Sequence, residues 1–384
     1  MWHWVSEGFD NFQLDIVGFL AILGEGSVLA NAQVATLSRL IYIPRLLPAP
    51  HAFLRPTRPS KLAPSDADVA GVYSGNHKRH VNHLAHVLLD GDSMAAYEVQ
   101  CVEIKKISNA PPVKAKTRGP LTVVLLLGCA FSIGLLALSI VKKDGMSLLA
   151  TGLLSILSSI IGIGNKWTLQ LVSRKVSGGA PQGDVVIRYP KGGFHVVKCS
   201  EEVARELYFA PEEIQYRVDQ PAVYRLISLV GTVLLMFGVI ALSNATVALQ
   251  IAWAAAYILL NAAYWTVAAL PQRVHWELGS FKVEKQRLEG GEAVEKNATF
   301  TEALWKVIVF TKSTKWVALG NTAPQTQAWK HWLEEAEAMA VDAGVYCEDM
   351  DAFGDSKVWI WKVPDWDPRS ALTKYMRLYH EIGA

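Results

Sequence analysis

Four histidines, each three residues from the next, are the strongest candidates for chemistry in this sequence. They are His77, His80, His83 and His86, in the run HKRHVNHLAH. On a helix, side chains at this spacing lie on a slowly drifting stripe, so two neighbouring imidazoles could share a metal ion. The spacing differs from HExxH and from zinc fingers, and no cysteine or carboxylate is fixed beside it. We favour a polar amphipathic helix that ends before Gly91, and keep metal binding and pH sensing as alternatives.

Other patterns of reactive residues are weaker. Gly162 and Gly164 precede Lys166 without the spacing of a phosphate-binding loop, and the sequence contains no GxSxG motif. His195 and Cys199 fall on one predicted strand face, but no further residue marks them as a catalytic pair, so we expect structural roles for both. We therefore predict no catalytic residue and no cofactor, and an enzyme is the less favoured class of function.

The composition points to a membrane rather than to a purely aqueous environment. Of the 384 residues, 51% are hydrophobic and only 19% are charged, whereas soluble domains usually carry about a quarter charged residues. The net charge of +2 argues against a nucleic-acid-binding protein. Cys101, Cys129, Cys199 and Cys347 form no CxxC pair, which indicates reduced thiols rather than a disulfide framework or a zinc site.

Four apolar segments hold the excess of hydrophobic residues. They are Leu121–Val141, Met146–Gly164, Leu226–Leu242 and Ala245–Leu270. A helix that crosses the hydrocarbon needs about 20 apolar residues, and the short third segment can extend to Val223. Brief connections join the segments in pairs. The sequence therefore predicts a mainly α membrane protein with four transmembrane helices in two hairpins, and with small α+β modules on the cytosolic side.

The basic residues predict how these helices are oriented. Lys and Arg flank the outer ends of both hairpins, at positions Lys105, Lys106, Lys114, Lys116, Arg118, Lys166, Arg174, Lys175, Arg217, Arg225, Arg273, Lys282, Lys285 and Arg287. Because such residues accumulate on the cytoplasmic side, we expect both termini and the middle loop there. Lys142 and Lys143, in the first hairpin loop, are the discordant signal. Endomembrane and plasma membrane are not distinguished.

Two glycosylation sequons bear on the same topology. Asn244 begins Asn-Ala-Thr on the predicted lumenal side, so it is a candidate glycosylation site. It lies close to the predicted bilayer surface, where a transferase has poor access. Asn297 begins a second sequon that this topology places in the cytosol, where it should stay unmodified. Glycosylation of Asn297 would overturn the predicted orientation.

The chain outside the spans divides into regions of different composition. The predicted regions are an amphipathic or interfacial segment (1–43), a Pro-rich extended linker (44–66), a cytosolic segment with the histidines (67–120), the first hairpin (121–164), a cytosolic module (165–222), the second hairpin (223–270) and a Trp-rich cytosolic domain (271–384). Val28–Ile43 has one apolar helical face, so it is either a membrane-surface helix or a helix packed on the bundle. We favour the membrane surface, because the neighbouring stretch is basic.

Local patterns predict elements within the cytosolic modules. The module between the hairpins should contain strands at Asp184–Tyr189 and Phe194–Cys199, a helix capped by Ser200, and a short helix from Pro211. The C-terminal region should contain helices at Phe300–Thr311, Ala323–Ala343 (capped by Thr322) and Arg369–Tyr379, and a strand at Val358–Lys362. We expect its tryptophans to pack a small core rather than to lie among lipid headgroups.

Three stretches resemble one group of proteins. They are Phe194–Tyr208, the run RLISLVGTVLLMFGVIALSNA and the run NAAYWTVAALPQRVHW. Over roughly residues 120–280 the chain resembles multi-pass membrane proteins of filamentous fungi that have no assigned function. The resemblance implies a membrane location, and it transfers no catalytic or binding residue.

The spans contain no Asp, Glu, Lys or His, although proton-coupled transport and intramembrane catalysis usually need such groups. We therefore expect a membrane protein whose cytosolic modules bind or organise protein partners. A transporter or channel subunit and a metal-dependent enzyme that uses His77–His86 are the alternatives. Besides the bilayer, we expect protein partners or self-association through small residues of the spans, such as Ala130 and Gly134, and no nucleic acid.

Overall fold

The structure of the protein is a computed structural model that describes residues 25–107, 113–171, 181–289, 296–349 and 357–383. It divides into two compact units, each made of three chain segments. The helical unit comprises Met1–Ser60, Val113–Gln170 and Glu213–Glu277, and the sheet unit comprises Lys61–Pro112, Leu171–Glu212 and Leu278–Ala384. Residues 1–24 of the predicted N-terminal region lie outside the described residues.

The elements of the described residues are as follows. The α-helices are α1 (Glu25–Ala30), α2 (Ala32–Leu37), α3 (His83–Leu89), α4 (Pro120–Lys142), α5 (Gly145–Asn165), α6 (Glu201–Ala204), α7 (Pro221–Ser243), α8 (Val247–Ala268), α9 (Phe300–Thr311), α10 (Lys315–Leu319), α11 (Gln327–Val341) and α12 (Pro368–Gly383). The strands are β1 (Ser65–Gly71), β2 (His77–Val81), β3 (Val99–Lys106), β4 (Lys114–Ala115), β5 (Trp167–Gln170), β6 (Val185–Arg188), β7 (Phe194–Lys198), β8 (Glu213–Tyr216), β9 (Trp276–Glu277), β10 (Phe281–Leu288), β11 (Val345–Asp349) and β12 (Lys357–Trp361).

Four helices of the helical unit are long and apolar enough to cross a membrane, by length and composition. They are α4, α5, α7 and α8, and their bounds agree with the four predicted segments to within a few residues. Helix α5 packs chiefly on α7, and α4 on α8. Buried hydroxyls join neighbouring helices, since Ser155 Oγ donates to Ser132 Oγ over 3.1 Å and Trp253 Nε1 donates to Thr151 Oγ1 over 3.1 Å. Such pairs satisfy polar atoms that lipid cannot solvate.

The Pro-rich segment is not a free linker, because it packs against the long helices. We call residues 41–58 the strap. Its backbone donates from Leu46 N to Gly128 O of α4 (3.1 Å) and from Ala49 N to the Tyr257 hydroxyl of α8 (2.8 Å). A Cβ atom at Gly128 would lie 2.7 Å from Leu46 O. An extended, proline-rich backbone cannot satisfy its own polar groups, so glycines and hydroxyls of the helices supply its partners.

Arg58 fastens the end of the strap. Its guanidinium lies 3.9 Å from the ring centroids of both Tyr216 and Tyr224. It also donates to Gly164 O over 2.6 Å and to Val218 O over 2.8 Å. Burial lowers the pKa of Arg58, against the opposing influence of the two tyrosines. A planar guanidinium is suited to this stacked position between two rings.

The N-terminal segment packs on the bundle instead of forming the membrane-surface helix that we favoured for Val28–Ile43. The structure has two short helices and a 3-10 turn there instead of one helix. Val28, Val34 and Ile41 are each less than 5% exposed. Ser27 Oγ donates to Asn261 Oδ1 of α8 over 3.0 Å, which joins the segment to the bundle.

The sheet unit contains an eight-stranded mixed sheet in the order β11-β12-β10-β3-β7-β6-β1-β2. The pairs β3/β7 and β10/β12 are parallel, and the other neighbours are antiparallel. All three segments of the unit contribute strands. The small separate modules expected from the sequence therefore form one sheet, because strand pairing between distant segments leaves no signal in local patterns.

Helices α9 to α12 build the core of this unit together with the sheet. Trp316 and Trp332 are almost fully buried, the rings of Trp305 and Trp366 lie 4.7 Å apart, and Trp332 Nε1 donates to Pro368 O over 2.8 Å. The C-terminal tryptophans therefore mainly fill a protein core, since each large ring buries much apolar area and its N–H finds a partner.

Two locally predicted elements differ from the structure. Helix α11 begins at Gln327, and its cap is Thr326, whose hydroxyl accepts from Trp329 N over 3.4 Å, rather than Thr322. The short helix predicted from Pro211 is absent from the described residues. There the chain forms strand β8, which pairs with β5 from Glu213 to Tyr216. The pairing partner precedes it by more than 40 residues, so the local pattern could not reveal it.

Candidate functional site

The structure separates the four histidines into two elements. His77 and His80 lie in strand β2, whereas His83 and His86 lie in helix α3. Asn82 stands between the two elements, and its amide donates to two carbonyls of residues 207 and 210, each over 2.8 Å. This anchored asparagine ends the strand, so the single helix that the spacing favoured does not form.

The imidazoles find separate partners. His77 Nε2 lies 3.6 Å from Asp68 Oδ1, and His86 Nε2 lies 3.1 Å from Asp92 Oδ1. Burial lowers the pKa of His83. Within the described residues, no three His, Cys, Asp or Glu side chains converge as a metal site. Metal binding at these histidines stays a prediction from the sequence.

The buried side chain of Glu212 accepts a hydrogen bond from the first turn of helix α3. Its Oε1 accepts from Leu84 N over 2.9 Å, and the residue is 5% exposed. Burial raises its pKa to about 7, although hydrogen bonds from the Leu84 and His83 amides and the charge of Lys78 oppose this. The carboxyl therefore holds its proton at higher pH in the folded chain than in the unfolded chain, where a glutamate has a pKa of about 4.3.

This raised pKa predicts a pH-dependent stability. Because the native state binds the extra proton, Glu212 should lower the free energy of unfolding as pH rises from about 4.5 to 7. We expect Glu212→Gln to gain about 2 kcal/mol relative to wild type over this window, measured by chemical unfolding with tryptophan fluorescence. The exposed neighbour variant Glu213→Gln should follow wild type. If the free energies of unfolding of wild type and Glu212→Gln changed in parallel with pH, the Glu212 carboxyl would not titrate in this range.

His195 and Cys199 do not form a reactive pair. His195 Nε2 lies 2.7 Å from Gln100 Oε1, and its Nδ1 lies 3.3 Å from the Tyr189 hydroxyl. Burial lowers the pKa of His195 to about 3 and raises the pKa of Cys199. The imidazole is therefore neutral and the thiol protonated, which disfavours nucleophilic chemistry. The Cys199 thiol donates to Gly183 O over 3.4 Å.

The candidate glycosylation site Asn244 is exposed at the end of α7. Its Nδ2 donates to Ile240 O over 2.8 Å, a bond that an attached glycan would weaken. The loop that holds it is tied to the other hairpin, because Asp144 Oδ2 accepts from Thr246 N over 2.7 Å. Both hairpin loops thus lie at the same end of the helical unit.

A groove of about 690 Å³ crosses one face of the sheet unit. We call it the charged groove and define it by Glu103, Lys105, Lys198, Gln286, Trp359 and Trp361. Its floor comes from strands β3, β7 and β10, and its aromatic wall comes from β12. This is the candidate functional site, because it combines a large concave surface with charges of both signs and an exposed aromatic side chain.

The register of the strands places these charges side by side. Alternate residues share one face of a strand, so Glu103 follows Val99 and Cys101 on the face that the core helices cover. Glu103 pairs with Lys198 across the parallel β3/β7 ladder and with Glu284 across the antiparallel β3/β10 ladder. Along β3, β7 and β10, the residues covered by the helices are thus apolar. The residues at the ends of these strands that line the groove are charged.

A buried ion pair forms the centre of the floor. Lys198 Nζ lies 2.6 Å from Asp184 Oδ2, and the two side chains are 17% and 3% exposed. The ammonium also lies 5.1 Å from the ring centroid of Trp361. Trp361 in turn donates from Nε1 to Gln286 Oε1 over 2.8 Å. These contacts fix the orientation of the aromatic wall relative to the charged floor.

The rim carries a second, more exposed set of charges. Lys105 Nζ lies 2.9 Å from Glu103 Oε1 and 3.1 Å from Glu284 Oε2, and Lys282 Nζ lies 2.8 Å from Glu284 Oε1. The hydrogen bond from Lys282, with that from Lys105, lowers the pKa of Glu284. Acids and bases therefore alternate along the rim, and each carboxylate has an ammonium partner.

The wall of the groove is apolar and reaches the edge of the sheet. Trp359 is 36% exposed and Val345 is 45% exposed, and both line the groove. Val345 belongs to β11, the outermost strand on this side. An exposed tryptophan beside an edge strand is suited to holding a polypeptide segment.

The sequence contained partial signals for this site. The alternation VWIWK predicted strand β12, and the hairpin that holds Asp184 and Lys198 was predicted as well. No local pattern indicated that these elements meet β3 and β10. Comparisons with protein-family models, curated proteins and solved structures give no match to this chain.

Proposed function

We propose that the chain is a multi-pass membrane protein whose sheet unit binds a protein partner through the charged groove. The observation that carries this proposal is the groove itself, with alternating acids and bases on the floor and rim and the exposed Trp359 on the wall. The four apolar helices supply the membrane anchor. In this proposal the groove receives an extended segment of the partner that carries charges of both signs.

The chemistry of the groove favours a polypeptide over other ligands. Glu103 and Glu284 alternate with Lys105 and Lys198, so no single charge sign dominates. A nucleic acid would need a basic face, and a small acidic metabolite would need a cationic pocket. A polypeptide offers both charges and backbone groups, and tryptophan is enriched among the residues that dominate binding energy at protein interfaces. We therefore assign Trp359 as the anchor of the interface.

We further propose that the sheet unit and both termini face the cytosol. The three segments of the sheet unit connect to the ends of α4, α5, α7 and α8 that lie away from the two hairpin loops, and an even number of spans separates the segments. Basic residues concentrate at these ends, with Lys116, Arg118, Lys166 and Arg225 as examples. This distribution supports a cytosolic orientation.

Cys347 gives a direct test of the orientation. It is an exposed free cysteine on β11 of the sheet unit, whereas Cys101 is buried. In sealed microsomes, a membrane-impermeant maleimide should label Cys347 without permeabilisation. A cysteine introduced at Ser243, the exposed last residue of α7 beside the second hairpin loop, should react only after detergent is added. This variant is made in a Cys347→Ser background. Protection of Cys347 in intact vesicles would reverse the proposed topology.

Crosslinking tests the proposed function. Native membranes that contain the full-length protein are treated with a lysine-reactive crosslinker, and linked peptides are identified by mass spectrometry. We expect partner peptides on Lys105 or Lys282, reduced about tenfold or more by Trp359→Ala, because an interface anchor contributes about 2 kcal/mol or more. Tyr97→Ala, which removes an equally exposed aromatic side chain from the opposite end of β3, should leave them unchanged. Equal yields in both variants would contradict the proposal.

A further inference from the structure

The helical unit contains a small, partly open cavity whose lining is mostly apolar but includes several polar side chains. Its volume is about 20 Å³, and the residues that line it include Arg45 of the strap, Tyr264 of α8, His275, Lys116 and Thr122. A cavity needs roughly 10–15 Å³ to hold one water molecule. The space therefore admits a single occupant of atomic size.

Arg45 brings a positive charge into this unit. The residue is 2% exposed. Its Nη1 donates to Ile41 O over 3.0 Å and to Ile43 O over 3.1 Å, but its Nε has no hydrogen-bond partner among the residues that the structure describes. Burying an ionised group is costly unless the charge is compensated, and no carboxylate of the described ranges forms an ion pair with this guanidinium.

His275 adds further unpaired polar atoms. It is 2% exposed, and neither ring nitrogen makes a well-aligned hydrogen bond to any described residue. Burial lowers its pKa, with a smaller opposing influence from the nearby Val267 carbonyl. The ring is therefore neutral at pH 7 and keeps one N–H to donate. The Tyr264 hydroxyl lies beside the Arg45 guanidinium, so a second neutral donor is available.

The charge and size of the cavity select its ligand. The residues that line it include two cations, Arg45 and Lys116, and no carboxylate. An occupant that accepts hydrogen bonds and carries negative charge would compensate the buried guanidinium. We propose that this cavity binds a monatomic anion of the chloride class. A phosphate group or lipid headgroup, which has several heavy atoms, is too large for the space.

This site is independent of the proposed partner binding. It would stabilise the contact between the strap and the spans, because Arg45 belongs to the strap and Tyr264 to α8. An anion that binds only the folded chain raises its stability with concentration. The expected signature is therefore a melting temperature that depends on the anion and rises with the logarithm of its concentration above the dissociation constant.

The test measures thermal unfolding of the purified full-length protein in detergent. Sodium chloride and sodium bromide are compared with sodium gluconate at equal ionic strength. We expect the halides to raise the melting temperature by about 2 to 4 °C at roughly ten times the dissociation constant. Equal melting temperatures in chloride and gluconate would overturn the proposal and indicate water as the occupant.

Two variants separate a site from a general salt effect. Ala35 also lines the cavity, so Ala35→Leu should fill the space, leave every polar group in place and abolish the halide dependence. Arg45→Met should abolish it too, and Ala35→Leu decides the outcome if Arg45→Met does not fold. Arg217→Met removes a cation outside the lining and should keep the full shift. A halide shift that persists in Ala35→Leu would refute the site.

Discussion

Gly128→Ala is expected to destabilise the folded protein by about 3 kcal/mol. The added methyl group would lie 2.7 Å from the carbonyl oxygen of Leu46, and a backbone atom cannot rotate away as a side chain can. The Leu46 amide also donates to Gly128 O over 3.1 Å. If the added methyl group pushes the strap away from α4, this hydrogen bond breaks. Overpacking of a dense interior usually costs about 1 to 3 kcal/mol, and the lost bond adds to it.

The same helix provides the matched control. Gly134 lies six residues further along α4, and a Cβ atom there meets nothing within 4 Å. Gly134→Ala should be neutral or slightly stabilising, because alanine favours a helix over glycine by up to about 1 kcal/mol. Both variants are compared with wild type by the midpoint of unfolding in detergent. If Gly128→Ala were as stable as Gly134→Ala, the strap would not pack on α4 as described.

Lys198→Met is expected to cost about 3 kcal/mol in the sheet unit. Removing the ammonium leaves the Asp184 carboxylate, whose side chain is 3% exposed, without its ion-pair partner. Removing one partner of a buried ion pair typically lowers the free energy of unfolding by about 3 to 5 kcal/mol. Because Lys198 is partly exposed, we expect an effect at the lower end of this range. Lys191→Met, in the exposed turn of the same hairpin, should change stability little.

A double variant tests the reason for this loss. Asp184→Asn combined with Lys198→Met removes both charges, so it should be more stable than Lys198→Met alone. Chemical unfolding of the four proteins forms a double-mutant cycle. Additive effects of the two substitutions would mean that the pair does not interact, against the 2.6 Å distance between its charged atoms.

The sequence predicts best those elements whose formation depends on neighbouring residues. The four long apolar helices follow from length and hydropathy. Helix α9 was predicted with the bounds Phe300–Thr311 that the structure has, because Thr299 accepts from Glu302 N as a local cap. The hairpin β6/β7 and the cap Ser200 were equally local. In each case the interactions that decide the structure lie within a few residues.

Long-range pairing explains the main differences. The eight-stranded sheet combines strands from three chain segments that the two hairpins separate, and no periodicity records which strand pairs with which. The strap shows the same problem. Its prolines predict an extended backbone, whereas the structure has a 3-10 turn at Pro50–Phe53 within it. Its packing depends on Gly128 and Tyr257, which lie about 80 and 200 residues away.

The helix predicted from the histidine spacing was wrong for a related reason. A three-residue repeat is compatible with a helix, yet the first two histidines belong to β2, which pairs with β1 from His77 to Val81. Strand pairing with β1 and the hydrogen bonds of Asn82 therefore favour a strand over a helix at His77 and His80. The candidate site was missed because its residues lie on four strands, and each charge alone is typical of a solvated strand end.

The most direct test of the proposed function is photocrosslinking from the wall of the groove. Benzoylphenylalanine is introduced at Trp359 or, as control, at Tyr97, since both side chains are 36% exposed. Illumination of native membranes should give a discrete protein adduct from position 359, and the same adduct should be weak or absent from position 97. The absence of any adduct from position 359, or equal adducts from both positions, would contradict a partner bound in the charged groove.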